Sequence, residues 1–239
     1  MLKKFFNKQL ASVIEWKDPQ QNDLLYKFPS THDEIKDASK LILAPGQGCV
    51  LVYEGKITDV LTEANMYNLV TDNHPFITSL IKIRQNFESE HKLKIYFFRT
   101  AEVVNQYWGT ASPIKYIDSS YNLPIELGLN GNFSYKITQP KFLFTEIIGS
   151  QESYTTEDMK QVITERMISQ IRSLFAQKKY AYNTIDAELT NITQEALDQV
   201  KTDFDSLGLL ITNYNITGTQ FDDETVERIG RIADITTDT

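Results

Sequence analysis

Residues 155–222 read TTEDMKQVITERMISQIRSLFAQKKYAYNTIDAELTNITQEALDQVKTDFDSLGLLITNYNITGTQFD, and the fold class turns on this stretch. Thr155-Thr156-Glu157-Asp158 is a capping-box-like start. It puts acids in the first turn, where unpaired N–H groups and the helix dipole favour negative charge. Met159, Val162, Ile163, Met167, Ile171, Leu174 and Phe175 then recur at helical spacing, which makes one face apolar. A second helix is expected from about Thr193, burying Ala196, Leu197, Val200 and Phe204. It stops at Leu207-Gly208, a C-terminal glycine signal. Leu209 to Ile216 read as a strand. Helix, helix and strand predict an α+β domain with packed amphipathic helices. None of these residues carries chemistry.

The preceding sequence is richer in strands. Leu24 to Phe28 form a short run ended by Pro29. Lys40–Leu43 and Gly48–Tyr53 flank Pro45-Gly46. Glu54-Gly55 makes a turn, and Lys56–Leu61 is the returning strand. Tyr67–Val70 is a further short strand. Phe76–Ile83 fits a helix or a strand equally. Lys94–Arg99 is a strand, and Trp108-Gly109-Thr110 leads into a proline-bounded loop. Ile125–Leu129 and Asn132–Ile137 are expected to pair across an Asn130-Gly131 turn. Phe133, Tyr135 and Ile137 alternate with Ser134 and Lys136, which gives one buried and one wet face. Pro140 opens a short helix carrying Phe142, Leu143, Phe144, Ile147 and Ile148, and Gly149 ends it. A last helix begins near Asp222 with Val226, Ile229 and Ile232. The chain stops inside that pattern, as a piece of a longer protein would.

Residues 1–17 form the segment with functional content. On a helical wheel Leu2, Phe5, Phe6, Leu10, Val13 and Trp16 share one side, with Lys3, Lys4, Asn7 and Lys8 opposite. Gln9 interrupts the apolar side. Two readings compete. One is an interfacial membrane helix, with Leu2, Phe5, Phe6, Val13 and Trp16 in lipid and Lys3, Lys4 and Lys8 on anionic head groups. The other is a terminal helix docked on the protein's own core. The expected partition is therefore 1–17, an α+β domain over 18–221, and a C-terminal helix from 222 to 239.

Composition narrows the classes. The chain has 239 residues and is 41% hydrophobic, enough for a sizeable core. A net charge of −8 argues against nucleic-acid partners, because phosphate contacts need a basic surface. Cys49, the single cysteine, excludes an intramolecular disulfide and a cysteine zinc knuckle, and it fits a reducing compartment. No apolar run approaches the roughly 20 residues a bilayer demands. The N-terminal apolar residues are interrupted by lysine and glutamine, unlike a secretory signal. The expected location is the cytoplasm, peripheral to the inner face of the membrane.

No catalytic, cofactor or metal residue is expected. His32, His74 and His91 lie apart and match no metal-ligand spacing. Cys49 sits in an apolar strand, where a thiol is inert. Gly46-Gln47-Gly48 is followed by a strand, whereas a phosphate loop needs a helix N-terminus after it. Asp203/Asp205 and Asp222/Asp223 lack the calcium-loop pattern. Tyr96, Phe97, Phe98, Tyr107 and Trp108 read first as sheet packing.

Several stretches together resemble the bacterial SPFH (band 7; stomatin/prohibitin/flotillin-like) domain, and within it the subgroup labelled virion-core-protein-like. They are Val13-Ile14-Glu15-Trp16 with Leu25 to Pro29, Gln47 to Val60, Lys94 to Thr100 with Trp108-Gly109-Thr110, Gly131 to Phe142, and Gly208 to Ile216. The Glu54-Gly55-Lys56-Ile57 and Trp108-Gly109-Thr110 stretches are the most specific. Two places depart from the pattern: Glu63 to Leu69 lacks the subgroup's proline and glycine, and Thr138-Gln139-Pro140 replaces its Lys-Asp-Pro. Relatives often carry a zinc-ribbon-like tail that this sequence does not contain. The resemblance implies a curved, mainly antiparallel sheet with packed helices and no enzymatic activity. It further implies a membrane-associated scaffold that forms homo-oligomers and recruits partner proteins at a lipid surface.

Overall fold

The computed structural model of the chain describes residues 12–30, 34–86 and 92–237. Along it run β1 (Val13–Glu15), β2 (Asp23–Lys27), α1 (Glu34–Asp37), β3 (Lys40–Leu43), β4 (Gln47–Tyr53), β5 (Lys56–Leu61), β6 (Asn65–Asn68), α2 (Pro75–Asn86) and β7 (Leu93–Arg99). Next come β8 (Val103–Gly109), β9 (Ile114–Ile117), β10 (Pro124–Ile137) and α3 (Pro140–Leu143), which continues as a π-helical turn over Phe144–Ile148. β11 (Ser153–Thr155), α4 (Thr156–Lys178), α5 (Ile185–Ser206), β12 (Leu209–Phe221) and α6 (Asp223–Thr237) complete it. The class is α+β, with three open, mainly antiparallel sheets in which β1 and β3 pair in parallel.

The elements divide into two compact units. The first holds the chain up to Glu102 together with Ile137–Asp158; the second holds Val103–Lys136 and the chain from Met159 onward. The stretch 18–221 thus contains parts of both.

In the first unit a five-stranded sheet has the order β11-β2-β7-β4-β5, and a three-stranded sheet the order β1-β3-β6. Alternation along β7 gives the larger sheet two different faces. Leu93, Ile95 and Phe97 join Cys49, Leu51, Leu41 and the α2 residues Phe76, Ile77 and Leu80 in one core. Tyr96 and Phe98 face the other way, each edge-on to Phe144 at 5.4 and 6.4 Å. Phe76–Ile83, readable either way, is helical within α2. The Glu54-Gly55 turn is a true hairpin: φ is +50° and +78°, a backbone that matches strand twist.

The predicted N-terminal helix does not extend to Trp16. Val13–Glu15 is a strand in parallel register with Lys40–Ile42. Ile14 is fully buried, Trp16 is buried, and its ring stacks on Tyr26 at 5.9 Å. Ser12 Oγ donates to the Glu34 carbonyl, and the Ser39 N–H donates to the Ser12 carbonyl. The helical wheel failed because burial here alternates with period two, and Ile14, left off the apolar side, is a core residue.

In the second unit β12-β10-β8 form a sheet, with β9 paired to the start of β10. α4 buries Met159, Ile163, Met167, Ile171, Leu174 and Phe175, the expected stripe. α5 packs along β12 and begins at Ile185, two turns before the expected Thr193. β12 runs to Phe221, five residues past the expected end. β9 occupies sequence read as a proline-bounded loop, and β8 carries Tyr107 and Trp108, read as sheet residues without a strand being assigned.

The largest correction concerns Asn130-Gly131. Ile125–Leu129 and Asn132–Ile137 do not pair with each other; they are one continuous strand, β10. Gly131 serves close approach rather than a turn. A Cβ there would overlap the Asn215 carbonyl oxygen of β12, with Trp108 Cζ2 only 3.0 Å away. Asn-Gly is a strong hairpin signal only where the chain reverses. Here the missing side chain of Gly131 lets the backbones of β10 and β12 meet beside the Trp108 indole.

Tyr116, Tyr180 and Tyr214 are buried in this unit. Burial is the first cause that raises each phenol above its ordinary value; the Asp118 charge adds to it at Tyr116, and a hydrogen bond to Glu195 at Tyr180. A raised acid favours the neutral, folded form below its unfolded value, and that stability disappears as pH climbs toward the folded value. Unfolding of the second unit is therefore expected above pH about 10. In an alkaline titration the late phenolate absorbance should rise together with the loss of circular dichroism.

Candidate functional site

The residues singled out for membrane contact divide in two. Leu2, Lys3, Lys4, Phe5, Phe6 and Lys8 lie outside the described residues. Val13 is half-buried in β1 and Trp16 belongs to the first unit's core. The Gln47 amide donates to the Trp16 carbonyl at 3.4 Å and accepts from the Ala44 N–H at 3.3 Å, which fixes the chain at this point.

Of the residues weighed for catalysis, His74, Cys49 and Gly48 are held in packing or backbone contacts. His74 accepts the Phe76 N–H on Nδ1 and sits edge-on to Tyr67. His32 and His91 lie outside the described residues. Cys49 is buried, and burial pushes its thiol up, so no thiolate forms. Gly48 lies against the Phe98 ring within β4. Among the described residues no group of three or more His, Cys, Asp or Glu could hold a metal ion. Of the aromatic run, Tyr107 is exposed while Tyr96, Phe97, Phe98 and Trp108 are buried. No helix among the described residues is long and apolar enough to cross a membrane.

One concave site was not anticipated. On the second face of the five-stranded sheet, β4 pairs Val52 with Ile57 on one side and with Lys94 on the other. These three residues therefore form a row across β5, β4 and β7. Two residues along, Val50 pairs with Tyr96, which pairs with Lys27. The π-helical turn brings Phe144 over this surface, and the cavity left between them measures about 500 Å³. Its floor is Val52, Ile57 and Tyr96, and its far wall is Phe144, Gly149 and Ser150. Lys94, in the row with Val52, supplies its charge, whereas Lys56 borders the cleft at the hairpin but pairs with Tyr53, whose side chain lies on the main-core face. π-turns recur where a helix is reshaped around a functional surface.

The charges around the cleft are unevenly paired. Lys27 Nζ lies 2.6 Å from Glu152 Oε1. The hydrogen bond from Lys27, then its charge and that of Lys94, hold the Glu152 carboxyl below its ordinary value. Among the described residues neither Lys56 nor Lys94 has a carboxylate at ion-pair distance. Burial raises the Tyr96 phenol, with Lys27 opposing and Glu152 adding, so the phenol is neutral at physiological pH. Sequence reasoning reached Lys56 and Lys94 only as strand residues, Lys56 also within a family stretch. Alternation in Lys94–Arg99 was the available signal, since it puts Lys94 and Tyr96 on one face.

The α+β class agrees with comparison to known proteins. The SPFH domain-Band 7 family matches residues 25–236, and the chain belongs to that family. Such domains are in general non-enzymatic, and membership points broadly to membrane-associated scaffolding. The chain is also similar to the uncharacterized protein YdjI of Bacillus subtilis (strain 168). The two are 24% identical over 229 residues, which cover 96% of this chain and 70% of the relative.

Proposed function

We propose that this chain is a non-enzymatic scaffold that attaches peripherally to the cytoplasmic face of a membrane, self-assembles and recruits partner proteins. The observation that carries the reading is the family match across both units. The sequence before β1 supports it: Phe5 and Phe6 stand beside Lys3, Lys4 and Lys8. Each lysine near an anionic surface adds about 1 kcal/mol. β1 tethers that segment to the three-stranded sheet. Self-assembly has support in α6, which buries Thr225 and Ile229 but leaves Val226 exposed.

A soluble adaptor, with the N-terminal segment packed on its own core, is the second reading. It is favoured by one fact: Ile14 and Trp16, the described part of that segment, are core residues.

Co-sedimentation with vesicles separates the two. A deletion through Trp16 would strip the core, so the informative deletion ends at Ala11. The full chain is expected to sediment with phosphatidylglycerol-containing vesicles and to lose that binding on deletion of residues 1–11 or in the K3E/K4E/K8E variant. Equal sedimentation of all three sinks the membrane role of this segment. Mass photometry of the same samples reads assembly directly, and a monomer with and without vesicles removes the self-assembly claim.

A further inference from the structure

We propose that the outer edge of β12 takes up a lysine-rich or arginine-rich segment of a partner protein, in extended conformation, as an added strand. The inference deepens the partner-recruiting part of the scaffold reading and rests on it, but it needs no membrane contact. β12 has a strand neighbour on one side only, because its sheet runs β12-β10-β8. An edge of this kind presents main-chain N–H and C=O groups to an incoming strand. The other sheet edges are guarded. β1, β6 and β11 span only three or four residues. β5 carries Lys56 and Asp59, and β9 carries Lys115. β8 is broken by Asn105 at φ +52°, and the Gln106 side chain donates to its Val104 carbonyl at 2.9 Å. By contrast, the 13 residues of β12, Leu209–Phe221, include no charge, no proline and no left-handed backbone. Thr212 and Asn213 are adjacent and both exposed, so the strand is open on both faces at that point.

The charge beside this edge selects the partner. α5 packs along β12. It lies on the sheet face that buries Phe133, since Phe204 meets that ring at 6.4 Å. The helix carries Asp186, Glu188, Glu195, Asp198, Asp203 and Asp205 against the single Lys201. Among the described residues, Glu195 alone of these acids has a cation at ion-pair distance. Asp186 sits at β12 itself, where the Thr219 hydroxyl donates to its carboxylate at 2.7 Å. Alternate side chains of an added strand fall on the α5 face, and charges act over roughly 8–10 Å at ordinary salt. Basic side chains gain there and acidic ones lose. The other face makes no such demand: Asn213 and Asn215 donate to Asn132, and all three are uncharged. A second copy fits worse. Pairing β12 with its twin brings two α5 helices of like charge together, in a chain of net charge −8.

Fluorescence anisotropy of a short labelled peptide of alternating lysine and valine, titrated with the full chain, tests the site. Saturable binding at one peptide per chain is expected. A peptide of alternating glutamate and valine should bind at least about tenfold more weakly. The lysine–valine peptide methylated at every backbone nitrogen keeps its charge and loses its N–H donors, and it should weaken by a similar factor. So should the N213K/T217K variant, which places lysines at two exposed positions of the edge strand. Hydrogen exchange of the unaltered chain supplies a readout independent of any variant. With the lysine–valine peptide bound, the amides of Leu209–Phe221 should exchange more slowly, and those of Val103–Gly109 should not change. No saturable binding, equal affinity for the acidic or the methylated peptide, an unchanged affinity in N213K/T217K, or no added protection in β12 would each overturn the proposal. Protection of β12 that grows with protein concentration and without peptide assigns the edge to a second copy and overturns it as well. The K3E/K4E/K8E sedimentation result tests the scaffold reading without touching β12, so the two failures are distinguishable.

Discussion

Gly131→Ala is expected to destabilise the second unit by about 3 kcal/mol or more, at the upper end of overpacking effects. The cause is local. Gly131 pairs with Trp108 in the β10–β8 register, and β12 passes on its other side. The first atom of any side chain would overlap the Asn215 carbonyl oxygen and press on Asn215 C and Trp108 Cζ2, both at 3.0 Å. None of these can yield cheaply. Asn215 is fixed in β12, and Trp108 is stacked on Tyr214 at 6.3 Å with planes 13° apart. Gly55→Ala is the control. Gly55 has φ of +78° at a real hairpin, and a Cβ there meets nothing within 4 Å. Only the left-handed backbone is penalised, about 1–2 kcal/mol. Urea unfolding monitored by circular dichroism measures both. A Gly131→Ala cost no larger than that of Gly55→Ala would restore the turn at Asn130-Gly131 and split β10 in two.

The same pair of glycines shows what could be read from the sequence and what could not. Asn130-Gly131 is the stronger local turn signal of the two, yet only Glu54-Gly55 turns, and tertiary context decides between them. α4 was legible because its determinants are local. Its buried residues recur every three or four positions, and Thr155 and Asp158 cap it reciprocally. The Thr155 N–H donates to the Asp158 carboxylate at 2.8 Å, and the Asp158 N–H donates to the Thr155 hydroxyl at 3.2 Å. The first two turns of α5 were hidden because they bury only Ile185 and Ile192, seven positions apart, with exposed residues and the half-buried Leu189 between. β8 was hidden because Val104 and Tyr107 are exposed on it, which breaks the apolar pattern. The cleft was the least legible feature. Ile57 and Lys94 are far apart in the sequence, and they share a face only because Val52 of β4 pairs with both. The wall comes from residues 144–150, beyond an excursion of the chain through the second unit. No window of sequence contains that site.

Trp16→Ala is expected to cost the first unit about 3–5 kcal/mol, the range for removing a large buried aromatic side chain. The value follows from where the indole sits. Trp16 is 7% exposed, stacks on Tyr26, and lies 6.5 Å from Phe97 in the sheet's main core. Aromatic pairs of this kind add to the burial itself. A membrane-facing Trp16 would behave in the opposite way: its removal would leave folding untouched and weaken vesicle binding. The two placements also differ in fluorescence. Trp16 and Trp108 are the two tryptophans of the chain, and both are buried. Emission is therefore expected to be blue-shifted before any lipid is added and to stay unchanged when anionic vesicles bind. An emission shift on vesicle binding, together with a Trp16→Ala variant of unaltered urea midpoint, would move Trp16 out of the core and return β1 to the membrane segment. If the expected pair of results is obtained, lipid contact from this end of the chain is confined to residues before Ser12. The phenylalanines and lysines at positions 3–8 then carry it without Val13 or Trp16.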